Sequence, residues 1–221
     1  MNTADPHADQ PVIAAGPDPV DAAAVVIAIH GRGASPHDIL TLRGAIQRDD
    51  VACLAPSAAG RSWYPNRFIS PVEANQPYLD SALRRISALV DGLTDVGVLH
   101  EHIVFMGFSQ GACLSSEFVA RHPRRWGGLL MLSGGLIGAP GTIWDTPGSL
   151  AGTPVFIGCS DVDEHIPKSR VEESADVLRR MGGDVTLRIY PGMGHTVNAD
   201  EVSHARRVID LVRGKRGAGG A

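Results

Sequence analysis

His102-Ile103-Val104-Phe105-Met106-Gly107-Phe108-Ser109-Gln110-Gly111 passes from an apolar segment directly into a G-x-S-x-G turn. Within it Ile103 to Met106 form a short, continuous apolar run, the pattern of a strand buried on both faces. Ala112 to Arg121 reads as a helix ended by His122-Pro123, because the residue before a proline is pushed out of the helical region. A serine between a buried strand and a helix is the arrangement of a nucleophile elbow. Its flanking glycines are needed because side chains there would collide with the turn and the neighbouring strand. The pentapeptide alone is a weak signal, and the flanking strand and helix give it weight.

The same alternation continues on either side. Ala24-Val25-Val26-Ile27-Ala28-Ile29 and Val51-Ala52-Cys53-Leu54-Ala55 are further buried strands, the second stopped by Pro56. Between them Ser35 and Pro36 form a helix start. Leu79, Leu83, Ile86, Val90 and Leu93 mark one face of a helix. Gly128 to Leu132, Pro154 to Ile157 and Val185 to Tyr190 read as strands. Val171, Ala175, Leu178 and Met181, then Val202, Ala205, Ile209 and Val212, mark helix faces. Strands separated by helices predict a mainly parallel, doubly wound α/β sheet with helices on both faces and right-handed crossovers. Residues 1–20 are expected to be loosely ordered, with only Val12-Ile13-Ala14-Ala15 able to add an edge strand. Residues 21–213 are expected to form one domain, and 214–221 (GKRGAGGA) a disordered tail.

Ligands on such sheets bind at the carboxyl ends of the strands, so chemistry is sought there. A serine hydroxyl is a weak nucleophile near neutral pH and needs a base, which needs an orienting acid. On this architecture the chain order is serine, acid, histidine. The strand ending at Ile157 is followed by Gly158-Cys159-Ser160-Asp161-Val162-Asp163-Glu164-His165-Ile166-Pro167, and the strand ending at Tyr190 by Pro191-Gly192-Met193-Gly194-His195. Ser109 and His195 are the candidate nucleophile and base. Asp163, Asp161 and Glu164 compete for the acid, Asp163 being preferred and Asp161 its alternative. Any spare carboxylate can cap the helix beginning at Pro167. An oxyanion needs donors held ready: one is the N–H of Gln110, and the other is assigned to the N–H of Arg32 in His30-Gly31-Arg32-Gly33-Ala34. His30 is read as a brace for that loop. Trp63, Tyr64 and Phe68, in the long irregular stretch Gly60 to Pro77, are candidates to line a substrate pocket, with Leu136, Ile137 and Met193.

Composition narrows the remaining options. The 221 residues are 43% apolar and 20% charged, as in soluble globular chains, with a net charge of −4. There is no basic excess to hold a phosphate backbone, so nucleic acid is not an expected partner. Cys53, Cys113 and Cys159 form no C-x-x-C pair, which argues against a disulfide scaffold or a zinc site and for reduced, buried thiols in a cytoplasmic protein. The first twenty residues carry no Lys or Arg, unlike a signal peptide, and the longest apolar run is far too short to span a membrane. A homodimer is compatible with all of this.

HGRGAS, GFSQGA, the acid loop ending in DEHIP, and GMGH together resemble the phospholipase/carboxylesterase family of the α/β-hydrolase superfamily, which includes acyl-protein thioesterases. The resemblance covers about Val25 to Val212. It implies an α/β-hydrolase fold without a large lid domain, a Ser-His-Asp triad on Ser109, His195 and Asp163, oxyanion donors on Arg32 and Gln110, and no cofactor or metal. Family loops of the form D-x-x-[VI]-P match Asp163-Glu164-His165-Ile166-Pro167 and favour Asp163. The family's usual HGLGD departs here to His30-Gly31-Arg32-Gly33-Ala34, which places a cation at the pocket mouth and weakens any transfer of long-chain acyl specificity. The expected activity is hydrolysis of small-molecule short- to medium-chain acyl or aryl esters through an acyl-enzyme. The alternatives are a thioesterase or lysophospholipase with the same triad, or a non-catalytic binding protein on this scaffold.

Overall fold

The computed structural model describes residues 5–218, with side chains through residue 214. Seven strands form one sheet in the order β1-β3-β2-β4-β5-β6-β7. They are β1 (Val12–Ala15), β2 (Ala24–Ile29), β3 (Val51–Pro56), β4 (Ile103–Phe108), β5 (Gly128–Leu132), β6 (Pro154–Ser160) and β7 (Asp184–Tyr190). All neighbours are parallel except β1, which runs antiparallel to β3 at the edge. The connections carry α1 (Pro36–Ile46), α2 (Tyr78–Asp95), α3 (Gln110–Arg121) and α4 (Lys168–Arg180), and α5 (Ala199–Ala218) closes the chain.

The strand alternation sorts the core into two layers. Val25, Ile27 and Ile29 of β2, with Ile103 and Phe105 of β4, pack against α2, α3 and α4 through Leu79, Ile86, Phe118, Val171 and Leu178. Ala24, Val26, Ala28, Val104 and Met106 face the opposite side, where α1 and α5 supply Ile39, Ile46, Val208, Ile209 and Val212. Both faces of the central strands are therefore covered, which is why their sequences are continuous apolar runs. The Asp210 carboxylate, held down to about 2 chiefly by its hydrogen bonds from Arg48, ties α5 to the end of α1.

Two expectations about the termini differ from the structure. Residues 5–20 are docked rather than loose, and residues 1–4 lie outside the described residues. His7 is fully buried: its amide donates to Ser81 Oγ at 2.9 Å, and its ring bridges the Trp63 carbonyl and the Ala59 amide, both at 3.0 Å. Hydrogen bonding, rather than apolar burial, thus fastens this polar stretch, and β1 completes the attachment by pairing with β3. At the other end, α5 carries residues 214–218 in helix, while 219–221 lie outside the described residues. No helix among the described residues is long and apolar enough to cross a membrane.

Candidate active site

Strand register brings the candidate loops together. Ile29 pairs with Gly107, so the His30–Arg32 loop leaves the sheet beside the turn after β4. Ser160 pairs with Tyr190, so the loops after β6 and β7 also leave side by side.

Ser109 sits at φ 56° and ψ −121°, a left-handed conformation that side chains rarely adopt. The two glycines around it permit the close approach this turn demands. A Cβ on Gly107 would lie 2.3 Å from the Gly111 backbone, and one on Gly111 would lie 2.0 Å from the Ile29 carbonyl oxygen. The serine hydroxyl is 2.8 Å from His195 Nε2, and His195 Nδ1 is 2.7 Å from Asp163 Oδ2. The imidazole lies between the Phe108 ring, 4.8 Å away between centroids, and the His165 ring at 4.9 Å.

The Asp163 side chain is fully shielded from solvent. Burial alone raises its pKa. Hydrogen bonds from His195 and from the His165 and Ile166 amides outweigh burial and hold it below the ordinary carboxylate value. An ionised Asp163 can only accept, so the imidazole proton resides on Nδ1 and the Nε2 lone pair faces the serine. Asp161 points elsewhere, accepting the Gly192 N–H at 2.8 Å, and Glu164 is exposed.

Glu201 steadies the far end of the His195 loop. It exchanges hydrogen bonds with Asn198 at the start of α5, its amide donating to Asn198 Oδ1 and its Oε2 accepting from the Asn198 amide. The carboxyl is fully buried, with Oε1 unpartnered against Gly158, and burial pushes it up to about 7.

Gln110 follows the serine in the chain, and Arg32 lines the same cavity as the serine. Among the described residues neither main-chain N–H donates to a backbone or side-chain acceptor. The Gln110 side chain is a clamp that its sequence position did not reveal. Its Oε1 accepts the Trp63 N–H, and its Nε2 donates to the Tyr64 carbonyl, both at 2.9 Å. His30 braces as expected. The Ala58 amide donates to Nε2, so Nδ1 carries the proton and donates to the Gly31 carbonyl at 2.7 Å. Burial lowers its pKa and keeps it neutral. The three cysteines are free and buried, and burial raises the thiols of Cys113 and Cys159 to about 12.

A cavity of about 610 Å³ opens over Ser109 and His195. Tyr64 and Phe68 line it, together with Cys113, Ile166 and the polar Arg32, Asn66 and Arg67. Trp63, Leu136, Ile137 and Met193 do not. Trp63 is turned into the core, where its indole N–H donates to the His30 carbonyl at 2.9 Å. The Leu136 and Ile137 amides donate to Ser174 Oγ and Glu117 Oε2, which hold that loop inside the fold. Met193 Sδ accepts from Asn198 Nδ2 instead of facing the cavity. A second hollow of about 400 Å³, lined in part by Ile39, Leu42 and Val197, lies on the other flank of His195.

A strained serine turn after the central β4 strand, with acid and histidine loops at the ends of the sixth and seventh strands of a mostly parallel sheet, places the molecule among the α/β hydrolases. Within that class the chain belongs to the phospholipase/carboxylesterase family, whose sequence model matches residues 8–213. A phospholipase/carboxylesterase from Dyadobacter fermentans, known from its crystal structure, is 40% identical with a TM-score of 0.87, over 91% of this chain and 96% of that one. An acyl-protein thioesterase 1 of Eremothecium gossypii is 27% identical over 83% of this chain and 85% of its own length. The acyl-protein thioesterase 1 of Gibberella zeae is 32% identical over 55% of this chain, and that match spans only 52% of the relative.

Proposed function

We propose that the protein is a serine carboxylesterase acting on short- to medium-chain acyl or aryl esters. The reading rests on one observation: His195 lies at hydrogen-bond distance from both the Ser109 hydroxyl and the Asp163 carboxylate, 2.8 and 2.7 Å. Ser109 Oγ attacks the ester carbonyl while His195 Nε2 takes its proton. Asp163 holds the imidazole in the required tautomer and stabilises its cation. The Arg32 and Gln110 N–H groups receive the oxyanion, and two free amides beside the serine suit that task. His195 then protonates the departing alcohol, and water repeats the sequence on the acyl-enzyme. The two hollows on either side of His195 leave room for the acyl and alcohol portions.

A fluorophosphonate probe should label wild-type protein and leave Ser109→Ala unlabelled, and the variant should lose turnover of 4-nitrophenyl esters. Equal turnover by both would overturn the assignment. A 4-nitrophenyl ester series should peak at short to medium acyl chains. The acyl-protein thioesterase relatives favour a second reading, thioester cleavage with the same residues. Matched oxygen and sulfur esters decide between them through the ratio of kcat/KM.

A further inference from the structure

The cavity over Ser109 is lined by cationic but not by anionic side chains, and the nearest carboxylate of the adjoining hollow is Asp38. Although the chain has a net charge of −4, no Asp or Glu lines this cavity, whereas Arg32 and Arg67 both do. Asp163, the carboxylate nearest the serine–histidine pair, is shielded behind the imidazole. The Arg32 guanidinium donates to three main-chain carbonyls, Nη1 to Pro65 at 2.7 Å and Nη2 to Tyr64 at 2.9 Å and to Asn66 at 2.6 Å. These acceptors are neutral, so the bonds orient the fork without cancelling its charge, and among the described residues its Nε–H and one Nη1–H meet no acceptor. Arg67 is exposed, and among the described residues its guanidinium has no hydrogen-bond or ion-pair partner.

The main chain that carries Arg67 is nevertheless fixed. The buried Asn75 side chain accepts the Asn66 N–H at 2.8 Å and donates to the Arg67 carbonyl at 3.3 Å. Together with the Arg32 bonds, this holds residues 64–67 at the cavity wall. A guanidinium oriented at Arg32 and a second one carried at the same wall by Arg67, in a cavity whose lining holds no carboxylate, favour a carboxylate or phosphate through their field.

We infer that Arg32 and Arg67 form a subsite for an anionic group on the substrate, so that the preferred esters carry a carboxylate or phosphate besides the scissile bond. The inference rests on the esterase reading above and narrows its substrate class.

Two matched pairs test it: mono-(4-nitrophenyl) adipate against 4-nitrophenyl hexanoate, with the charge on the acyl side, and 3-acetoxybenzoate against its methyl ester, with the charge on the alcohol side. In at least one pair the anionic ester should be favoured in kcat/KM by about tenfold or more at low salt, the size expected of one charge-assisted contact. The preference should reside in KM and should shrink in about 0.5 M NaCl, where screening is strong. It should also collapse towards unity in Arg67→Gln and in Arg32→Gln, while Arg207→Gln, outside the cavity, should retain it. Preference for the neutral ester in both pairs would overturn the inference and leave the esterase reading standing, as would an anionic preference that survives both cavity substitutions in folded protein. Absence of turnover with all four esters, together with no fluorophosphonate labelling, would overturn both.

Discussion

The Asp161 carboxylate accepts the Gly192 N–H at 2.8 Å and so couples the loop after β6 to the loop that carries His195. Two residues on, Asp163 reaches the imidazole itself. The two aspartates should therefore separate kinetically. Asp163→Asn should lower kcat by about 10⁴, because the amide no longer selects the productive tautomer. Asp161→Ala, which removes only a loop brace, should cost less than about tenfold. Comparable losses in the two variants would contradict this division.

Ser109 occupies a left-handed backbone conformation that costs on the order of 1 kcal/mol or more for a residue with a Cβ. Ser109→Gly should relieve that cost and raise Tm while abolishing ester turnover. A lower Tm measured by thermal unfolding would mean that the turn is not strained.

Besides the oxyanion role proposed for its amide, Gln110 holds residues 63 and 64 through its side chain. Truncation to Ala would strip the Trp63 N–H and the Tyr64 carbonyl of their partners in a buried setting. Unfolding in urea should show a loss of roughly 2–4 kcal/mol for Gln110→Ala, with Gln110→Glu intermediate, since a carboxylate can still accept from Trp63.

His7 makes the docking of the N-terminal segment sensitive to acid. Burial depresses its pKa below 6.5, so the neutral ring stabilises the fold above that pH and the contribution is lost as the pH falls through the folded-state value. The ring accepts from the Ala59 N–H, and protonation of that nitrogen breaks the contact. Between pH 7.5 and 5 the Tm of wild type should fall more steeply than that of His7→Gln. Parallel profiles would exclude His7 as the cause.

Glu201 works in the opposite sense. Its pKa rises from 4.5 to about 7, so its contribution is complete below 4.5 and disappears as the pH rises through 7. Glu201→Gln should therefore gain on wild type with increasing pH, by up to about 3 kcal/mol between pH 4.5 and 8. A difference in stability that does not change with pH would show that Glu201 is not buried as a neutral acid.

The parts of the molecule legible in sequence are those whose physics is local or periodic. β2, β4 and β5 are covered on both faces, so each is an unbroken apolar run. The loops bearing Ser109, Asp163 and His195 announce themselves because each follows a strand and contains the residue type the chemistry needs. The contributions of side chains to packing at a distance were not legible. An aromatic residue in a glycine-flanked loop looks the same whether it faces a cleft, as Phe68 does, or the core, as Trp63 does. Leu136 and Ile137 are core residues because Ser174 and Glu117, far along the chain, capture their amides. His7 gives no signal at all, since its burial rests on two main-chain groups more than fifty residues away.

The tethering of residues 63–67 by Arg32, Gln110 and Asn75 fixes one wall of the cleft. A wall tethered this way gives a lipid–water boundary nothing to pull aside at residues 63–67. The initial rate on an amphiphilic ester should saturate smoothly with concentration, with no jump where the substrate begins to form micelles.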